Sequence, residues 1–289
     1  MPTSLNGPAE KGDQIKLREF FYLLGFRPKI RTYGFAIASF DLPQDGKIEL
    51  AQWLHPKEQR KIISQAQVDE LRKYLSPGDV AIDIGAHTGD TAVPLALAVG
   101  KSGLVLALEP NSYVFPVLRA NSELNLAKAS IMPLMFAATP EDGEFEFEYS
   151  DSGFCNGGRH EGINKWKHTH AFKLSVAGKN LQTYLASELP ALVPRIRFLK
   201  VDAEGYDYTV LSSLSELITK QRPFIRVEVY KWTDRPRRTQ LYRFLREHHY
   251  DVFRLIDDQH YLGPEVREQD LMNWPSFDVF CTPRRAVES

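Results

Sequence analysis

Apolar residues at Leu17, Phe20, Phe21 and Leu24 fall on a helical spacing, which predicts a helix over Ile15–Leu24 with one face to bury. The residues before it, Met1 to Asp13, are polar, carry Pro2 and Pro8, and read as a frayed tail. Two short β-like pieces, Tyr33–Phe40 and Lys47–Leu50, flank the turn-forming Pro43-Gln44-Asp45-Gly46. A second helical pattern runs from about Glu58 to Leu75 and stops at the breaker Ser76-Pro77-Gly78-Asp79. The main domain is placed after that breaker, at residues 76–289, with residues 1–75 as an N-terminal extension of helices and short strands.

From Asp79 onward short, continuously apolar segments alternate with helical ones. Seven read as strands: Val80–Ile84, Leu104–Leu108, Ile131–Ala137, Ile196–Val201, Phe224–Tyr230, Asp251–Ile256 and Phe277–Cys281. Helical patterns at Thr91–Val99, Tyr113–Leu126, Tyr208–Thr219 and Thr239–His248 separate or follow them. Strands apolar on both faces need cover on both faces, so the pattern predicts a doubly wound, Rossmann-like α/β sheet of seven strands. From about Glu144 to Leu185 the alternation breaks: Glu144 to Tyr149 alternates charge with aromatic, and Ser150 to Gly162 is rich in glycine and polar residues. Such an insertion is expected near the ligand end of the sheet, as a lid or substrate wall.

Composition narrows the class of protein. Charged residues make up 25% and hydrophobic ones 43%, which is globular rather than disordered. No run approaches the roughly 18 apolar residues of a membrane helix, and the N-terminus lacks a signal-peptide core, so a cytoplasmic protein without membrane contact is expected. The net charge of −1 argues against nucleic-acid binding. With Cys155 and Cys281 as the sole cysteines, a disulfide scaffold and a four-cysteine zinc site are excluded.

The chemistry concentrates where the first strand ends. Asp83-Ile84-Gly85-Ala86-His87-Thr88-Gly89-Asp90-Thr91 joins a strand to a helix through a glycine turn, and Gly85 and Gly89 let the backbone approach a ligand. Asp83 can accept a hydrogen bond from an ammonium group or a water. Glu109, which opens Glu109-Pro110-Asn111 after the second strand, follows Gly85 by 24 residues, close to the spacing at which a carboxylate meets ribose hydroxyls. A dinucleotide fingerprint needs a second glycine where this chain has His87, and its third glycine falls on Asp90, whose charge opposes phosphate. S-adenosylmethionine has a ribose but no pyrophosphate, so it is the ligand favoured over NAD(P). The alternative remains an ordinary strand-to-helix turn.

These segments, with Asn121 and Leu124-Asn125 in the next helix and Phe198-Leu199-Lys200-Val201-Asp202-Ala203-Glu204-Gly205, resemble the FkbM family of S-adenosylmethionine-dependent methyltransferases over roughly residues 78–230. The glycine loop of that family more often has Asn where His87 stands, and residues 1–75 are not explained by the likeness. The resemblance implies O-methylation of a hydroxyl on a sugar, a glycan or a polyketide-type natural product. Backbone around Ala137 and Ala138 is expected to meet the adenine. The Pro-Pro-Tyr signature of amino-group methyltransferases is missing, which also favours oxygen as acceptor.

Asp202 and Glu204 share one face of an extended segment and lead the catalytic candidates. Either serves as general base, or both join Glu228 around Mg²⁺, the less favoured alternative. Structural readings compete: Glu204 as cap of a helix starting near Tyr206, and Lys200–Glu228 as a buried ion pair. His87 is a candidate for cofactor contact or base, against a loop histidine satisfied locally. Ser152-Gly153-Phe154-Cys155-Asn156-Gly157-Gly158 suits closure over a polar ring, with Phe154, Asn156 and Gly157, together with Lys200, as substrate contacts; a long hairpin turn competes. Cys155 has no reason to be nucleophilic. His168 and His170 lack a third metal partner. Lys231, Arg235, Arg237, Arg238, Arg243 and Arg246 form a solvated helix face or recognise an anionic acceptor, and Trp166 and Trp232 could stack on a sugar.

The sequence is best read as an S-adenosylmethionine-dependent O-methyltransferase, with Asp83, Gly85, Ala86, His87, Gly89, Asp90, Thr91, Glu109, Pro110, Asn111 and Ala138 at the cofactor. An NAD(P)-dependent oxidoreductase and a non-catalytic glycan-binding or scaffold protein are the rivals. Residues 1–75 either cover the site or build a homo-oligomer.

Overall fold

The computed structural model describes residues 29–155, 157–158 and 172–284. The expected tail and the helix over Ile15–Leu24 lie outside the described residues. The extension opens with a hairpin of β1 (Phe35–Leu42) and β2 (Gly46–Trp53), paired antiparallel from Phe35↔Trp53 to Leu42↔Gly46. Helix α1 (Gln65–Leu71) starts later than the helical pattern suggests. The cause is a capping box: Ser64 accepts from the Gln67 amide while the Gln67 side chain accepts from the Ser64 amide, which closes the helix there. Residues 54–64 are irregular apart from short turns.

The main sheet follows. β3 (Val80–Ile84), α2 (Ala92–Val99), β4 (Leu104–Leu108), α3 (Phe115–Glu123) and β5 (Ile131–Leu134) wind outward in one direction. β6 (Ala137–Ala138), β7 (Gly143–Tyr149), β8 (Gly157–Gly158) and β9 (Phe172–Lys179) form a separate small sheet in the order β6-β9-β7-β8. After α4 (Leu181–Glu188) the chain returns to the far side of β3 with β10 (Ile196–Val201). Next come α5 (Asp207–Ser213), α6 (Ser215–Gln221), β11 (Phe224–Val229), α7 (Arg235–Glu247), β12 (Tyr250–Arg254) and β13 (Phe277–Pro283). The seven-stranded order is β12-β13-β11-β10-β3-β4-β5, in which β13 alone runs antiparallel to its neighbours.

Two expectations of single elements are corrected, and one helix was not foreseen. The strand over Ile131–Ala137 breaks at Met135 and Phe136, so that Ala137 and Ala138 turn away to pair with β9. The helix over Tyr208–Thr219 is two helices meeting at Leu214. Helix α4, within and just beyond the expected insertion, carried no expectation; Asn180 starts it by accepting from the Thr183 amide.

Two apolar clusters sandwich the sheet. One gathers α4, α5, α6 and α7 against one face. The other packs α2 under α1, with Leu42, Ile48 and Leu50 of the hairpin in the same cluster. Every residue of α2 is buried, as a helix apolar on all sides must be. The free edge of β2 is met by side chains of α3 and the turn after it. Asn121 accepts from the Ala51 amide (2.7 Å) and donates to its carbonyl (3.0 Å), and Asn125 does the same for Glu49 at 2.9 and 2.8 Å. These positions lie four apart in the chain, the partners two apart on the strand, so two amides imitate a neighbouring strand.

Candidate active site

The order in which strands are added reverses between the parallel β3 and β10, and the crevice outside those carboxyl ends is where a ligand binds in this architecture. β3 runs into Gly85 (φ +75°), whose amide and that of Ala86 donate to Leu108 O at 3.0 and 2.9 Å. A Cβ at Gly85 would run into the carbonyl of Asp202, so glycine is what lets the ends of β3 and β10 touch. The loop then passes through His87 (φ +47°) and Gly89 (φ +93°) into α2. Buried Glu109 organises the turn: one carboxylate oxygen accepts from the His87 amide (2.9 Å), the other from the Asn111 amide (2.8 Å). Burial raises its pKa. Each oxygen keeps a lone pair for a hydroxyl.

A cleft opens above this turn. Of the residues picked from sequence it brings together Gly85, Glu109, Pro110, Ala138, Gly157, Asp202 and Glu204. Its other walls are apolar or aromatic, with Phe136, Phe147 and Tyr149 among them, and among the described residues no lysine or arginine lines it. Sequence reading overlooked these three aromatics and Tyr206. The signal was present, because Phe145, Phe147 and Tyr149 alternate on one face of β7, and the last two reach the cleft.

The remaining candidates lie elsewhere. Asp83 is fully buried below the loop, and the ammonium group it meets belongs to Lys200, at 3.1 Å. Strand register puts these two side by side, and Lys200 also reaches Gly85 O (3.1 Å) and the Asp202 carboxylate (3.6 Å). Lys200 therefore braces the turn from beneath rather than meeting a substrate, and the expected Lys200–Glu228 pair is not formed. The Asp83 and Asp202 carboxylates hold the Lys200 ammonium protonated. Asp90 pairs with Lys61 of the extension at 3.1 Å, and it lines a different cavity with Thr91. Buried Ala86 and Asn111 shape the loop; Asn111 donates to Phe154 O at 2.7 Å. Phe154 is itself buried, stacked on Tyr113 at 4.2 Å and flanked by Tyr149 and Phe172, so its faces are already used. Cys155 is neutral, its thiol pushed up to about 12 by burial and by Glu58. Asn156, Trp166, His160, His168 and His170 lie outside the described residues.

At the end of β10, Asp202 is open to solvent while Glu204 turns inward with φ +52°. Burial, with Asp202 beside it, pushes the Glu204 carboxyl up to about 7, and the Tyr230 hydroxyl hydrogen-bonds to it. Glu204 does not cap the next helix. Asp207 closes that turn instead, accepting from the Ala203 (2.8 Å) and Gly205 (3.0 Å) amides, and its own carboxyl is pushed up to about 7 by burial. Beyond Tyr206 and Tyr230 lies a second cavity of about 270 Å³, with Glu228, Thr233, Arg237 and Gln240 in its walls. Glu228 accepts from Ser276 (3.0 Å), and burial followed by its acidic neighbours pushes it up to about 9. Among the described residues, Asp202, Glu204 and Glu228 do not bring their oxygens together as a metal cage needs. The basic run divides: Arg238 is buried and donates to Tyr230, Leu271, Trp274 and Pro275 carbonyls, Arg243 and Arg246 pair with Glu268 and Asp251, and Lys231 lies over Trp232.

The sheet order, the antiparallel β13 and the crevice over the ends of β3, β4 and β10 define a Rossmann-like α/β fold. The model of the methyltransferase FkbM domain matches residues 83–257, more than half of the chain, and the chain belongs to that family. Among solved structures, an FkbM methyltransferase from Methylobacillus flagellatus KT is similar at 14% identity over 71% of this chain, with a TM-score of 0.43. The chain spans 44% of that protein's length. An S-adenosylmethionine-dependent O-methyltransferase from Thermotoga maritima aligns at 14% identity over 80% of this chain and 69% of its own, with a TM-score of 0.41. A methyltransferase dependent on the same cofactor, from Aquifex aeolicus, aligns at 12% over 74% and 88%, with a TM-score of 0.38. No curated protein matches the sequence. Among the described residues, no helix is long and apolar enough to cross a membrane.

Proposed function

We propose that the chain transfers a methyl group from S-adenosylmethionine to a hydroxyl of a sugar, glycan or polyketide-type product. The cleft suits this donor by its charge. Among the described residues Glu109, Asp202 and Glu204 are in its walls and no cation is, which favours a sulfonium nucleoside and disfavours the pyrophosphate of a dinucleotide. Glu109 would take the ribose hydroxyls, and Phe136, Ala138 and Phe147 would cover the base. The bound donor supplies an already activated methyl group, so the chain's own residues have to bind, align and deprotonate.

The observation that carries the reading is Glu204. It lines the cofactor cleft and is held by Tyr230, which lines the second cavity, while Tyr206 lines both; its carboxyl, pushed up to about 7, lies near the pH at which a general base works best. A hydroxyl reaching in from the second cavity would give its proton to Glu204 while attacking in line. Glu228 is protonated at neutral pH and its second oxygen is buried without a hydrogen-bond partner among the described residues; with Thr233 and Gln240 it gives that cavity donors and acceptors suited to a polyhydroxylated acceptor.

The test incubates the full chain with methyl-labelled S-adenosylmethionine and a panel of hydroxylated and amine-bearing acceptors. Label should appear in an ether; label confined to amine products sinks the oxygen assignment. Glu109→Ala should weaken cofactor binding by about 1–3 kcal/mol, the range for a lost charge-assisted hydrogen bond, and calorimetry showing unchanged affinity removes Glu109 from the ribose.

A further inference from the structure

Three side chains that methyl transfer leaves unused converge beside the cleft. Glu58 comes from the extension, His87 from the glycine loop and Cys155 from the insertion, and one ligand atom from each lies within 4.8 Å of the other two. We propose that they bind one divalent transition-metal ion with the preferences of zinc. Imidazole nitrogen, thiolate sulfur and carboxylate oxygen are the donors zinc takes, and a thiolate disfavours magnesium and calcium. Tetrahedral zinc with bonds of about 2.0–2.3 Å separates its donors by about 3.3–3.8 Å. The Cys155 sulfur and Glu58 Oε2 already stand 3.7 Å apart, so closing the site takes a side-chain rotation of His87.

The surroundings fit an ion. The His87 ring makes no hydrogen bond among the described residues; its recorded ring contact is an edge-on packing with Trp53 at 5.7 Å. The Asp90 and Glu109 carboxylates lie within electrostatic reach of that ring and add negative charge beside the site. Lys61 does not compete for the ligand oxygen, because it holds the other Glu58 oxygen, Oε1, at 3.3 Å and Asp90 at 3.1 Å. On binding, the Cys155 S–H bond breaks, a sulfur–metal bond forms, and the proton passes to solvent. A water completes the fourth position. The ion joins the extension, the cofactor loop and the insertion at one point.

The experiment uses the full chain, stripped by chelator and dialysed, and titrated with Zn²⁺ alone and with Co²⁺ alone, without S-adenosylmethionine. One equivalent of Zn²⁺ should bind, release a proton into weakly buffered solution and raise Tm. Co²⁺ should show a thiolate-to-metal charge-transfer band, which Cys281, fully buried in β13, cannot supply. Cys155→Ser should abolish the band and weaken Zn²⁺ binding by more than the roughly 10–100-fold that loss of an outer-shell partner brings. His87→Asn should weaken it similarly, and carries the test should the serine variant fail to fold by circular dichroism. No saturable Zn²⁺ binding, or binding unchanged in either folded variant, overturns the site. Because no turnover is measured, this outcome is independent of the methyl-transfer assignment.

Discussion

At the scale of the residue, Glu204 and Glu228 show how burial decides roles that composition leaves equal. Both are glutamates at strand ends; one is tuned to about 7 and the other to about 9. Glu204→Gln should lower kcat by about 10²–10⁴-fold, the share of a general base, with S-adenosylmethionine affinity little changed. In the unaltered protein kcat/KM should fall as pH drops below about 7, where Glu204 gains its proton, and the variant should lose that limb. A wild-type profile flat between pH about 6 and 8 would acquit Glu204. Glu228 makes a different prediction, about stability. Its pKa is about 9 when folded, against an ordinary value of 4.5, so between those pH values the folded chain binds a proton that the unfolded chain has released. Stability from this group is complete below the lower value and is lost as pH rises through the window, at up to about 1.4 kcal/mol per pH unit. Glu228→Gln, uncharged throughout, should therefore match the parent in Tm near pH 4.5 and exceed it near pH 8. Parallel Tm curves across that range would count against a neutral, buried Glu228.

At the scale of the element, what the sequence showed best was what local spacing dictates. The seven strands were legible because buried parallel strands are continuously apolar, and β3, β4 and β10 match their expected limits residue for residue. The capping box at Ser64 was equally local, yet the apolar pattern running through it suggested one longer helix. Neither the bend after β5 nor the partner of Lys200 could be read off in this way. The bend serves a strand, β9, that pairs from 41 positions further along at Ala137↔Gly178, and the choice of Asp83 over Glu228 follows from register, since Lys200 lies opposite Asp83 on β3 but opposite Arg226 on β11. Tertiary pairing also explains Asn121, whose amide bridges Ala51 of the extension and Thr88 O of the glycine loop (2.7 Å). Asn121→Ala leaves those backbone groups buried and unpaired, at about 1–3 kcal/mol each. Denaturant unfolding should show a loss of at least that size, together with weaker cofactor binding because Thr88 sits in the loop. Lost stability with full cofactor affinity would mean that the loop holds its shape without α3.

At the scale of the whole molecule, the methyltransferase family covers the cleft but not what lies beneath the back of its glycine loop. The matched segment begins at Asp83, whereas α2, inside it, is apolar on every face and needs a second cover. The extension supplies that cover. Leu42, Ile48, Leu50, Ile63, Val68, Leu71 and Leu75 are all buried in one cluster with α2. At about 1.5–3 kcal/mol for each fully buried aliphatic side chain, these seven weigh as much as the entire net stability of an ordinary domain, about 5–15 kcal/mol. The all-apolar Ala92–Val99 was the sequence clue that residues before the Ser76-Pro77-Gly78 breaker do more than lead into the sheet. The same segments also tie to the glycine loop through Lys61–Asp90 and to the insertion through His55–Asp151, each at 3.1 Å. A chain beginning at Ser76 should consequently express as aggregate or as a molten species that binds a hydrophobic dye, and co-expression of residues 29–75 should restore some soluble protein. A soluble, cooperatively unfolding fragment that binds S-adenosylmethionine as the full chain does would show that α2 finds another cover, and that the extension serves the acceptor or the assembly rather than the fold.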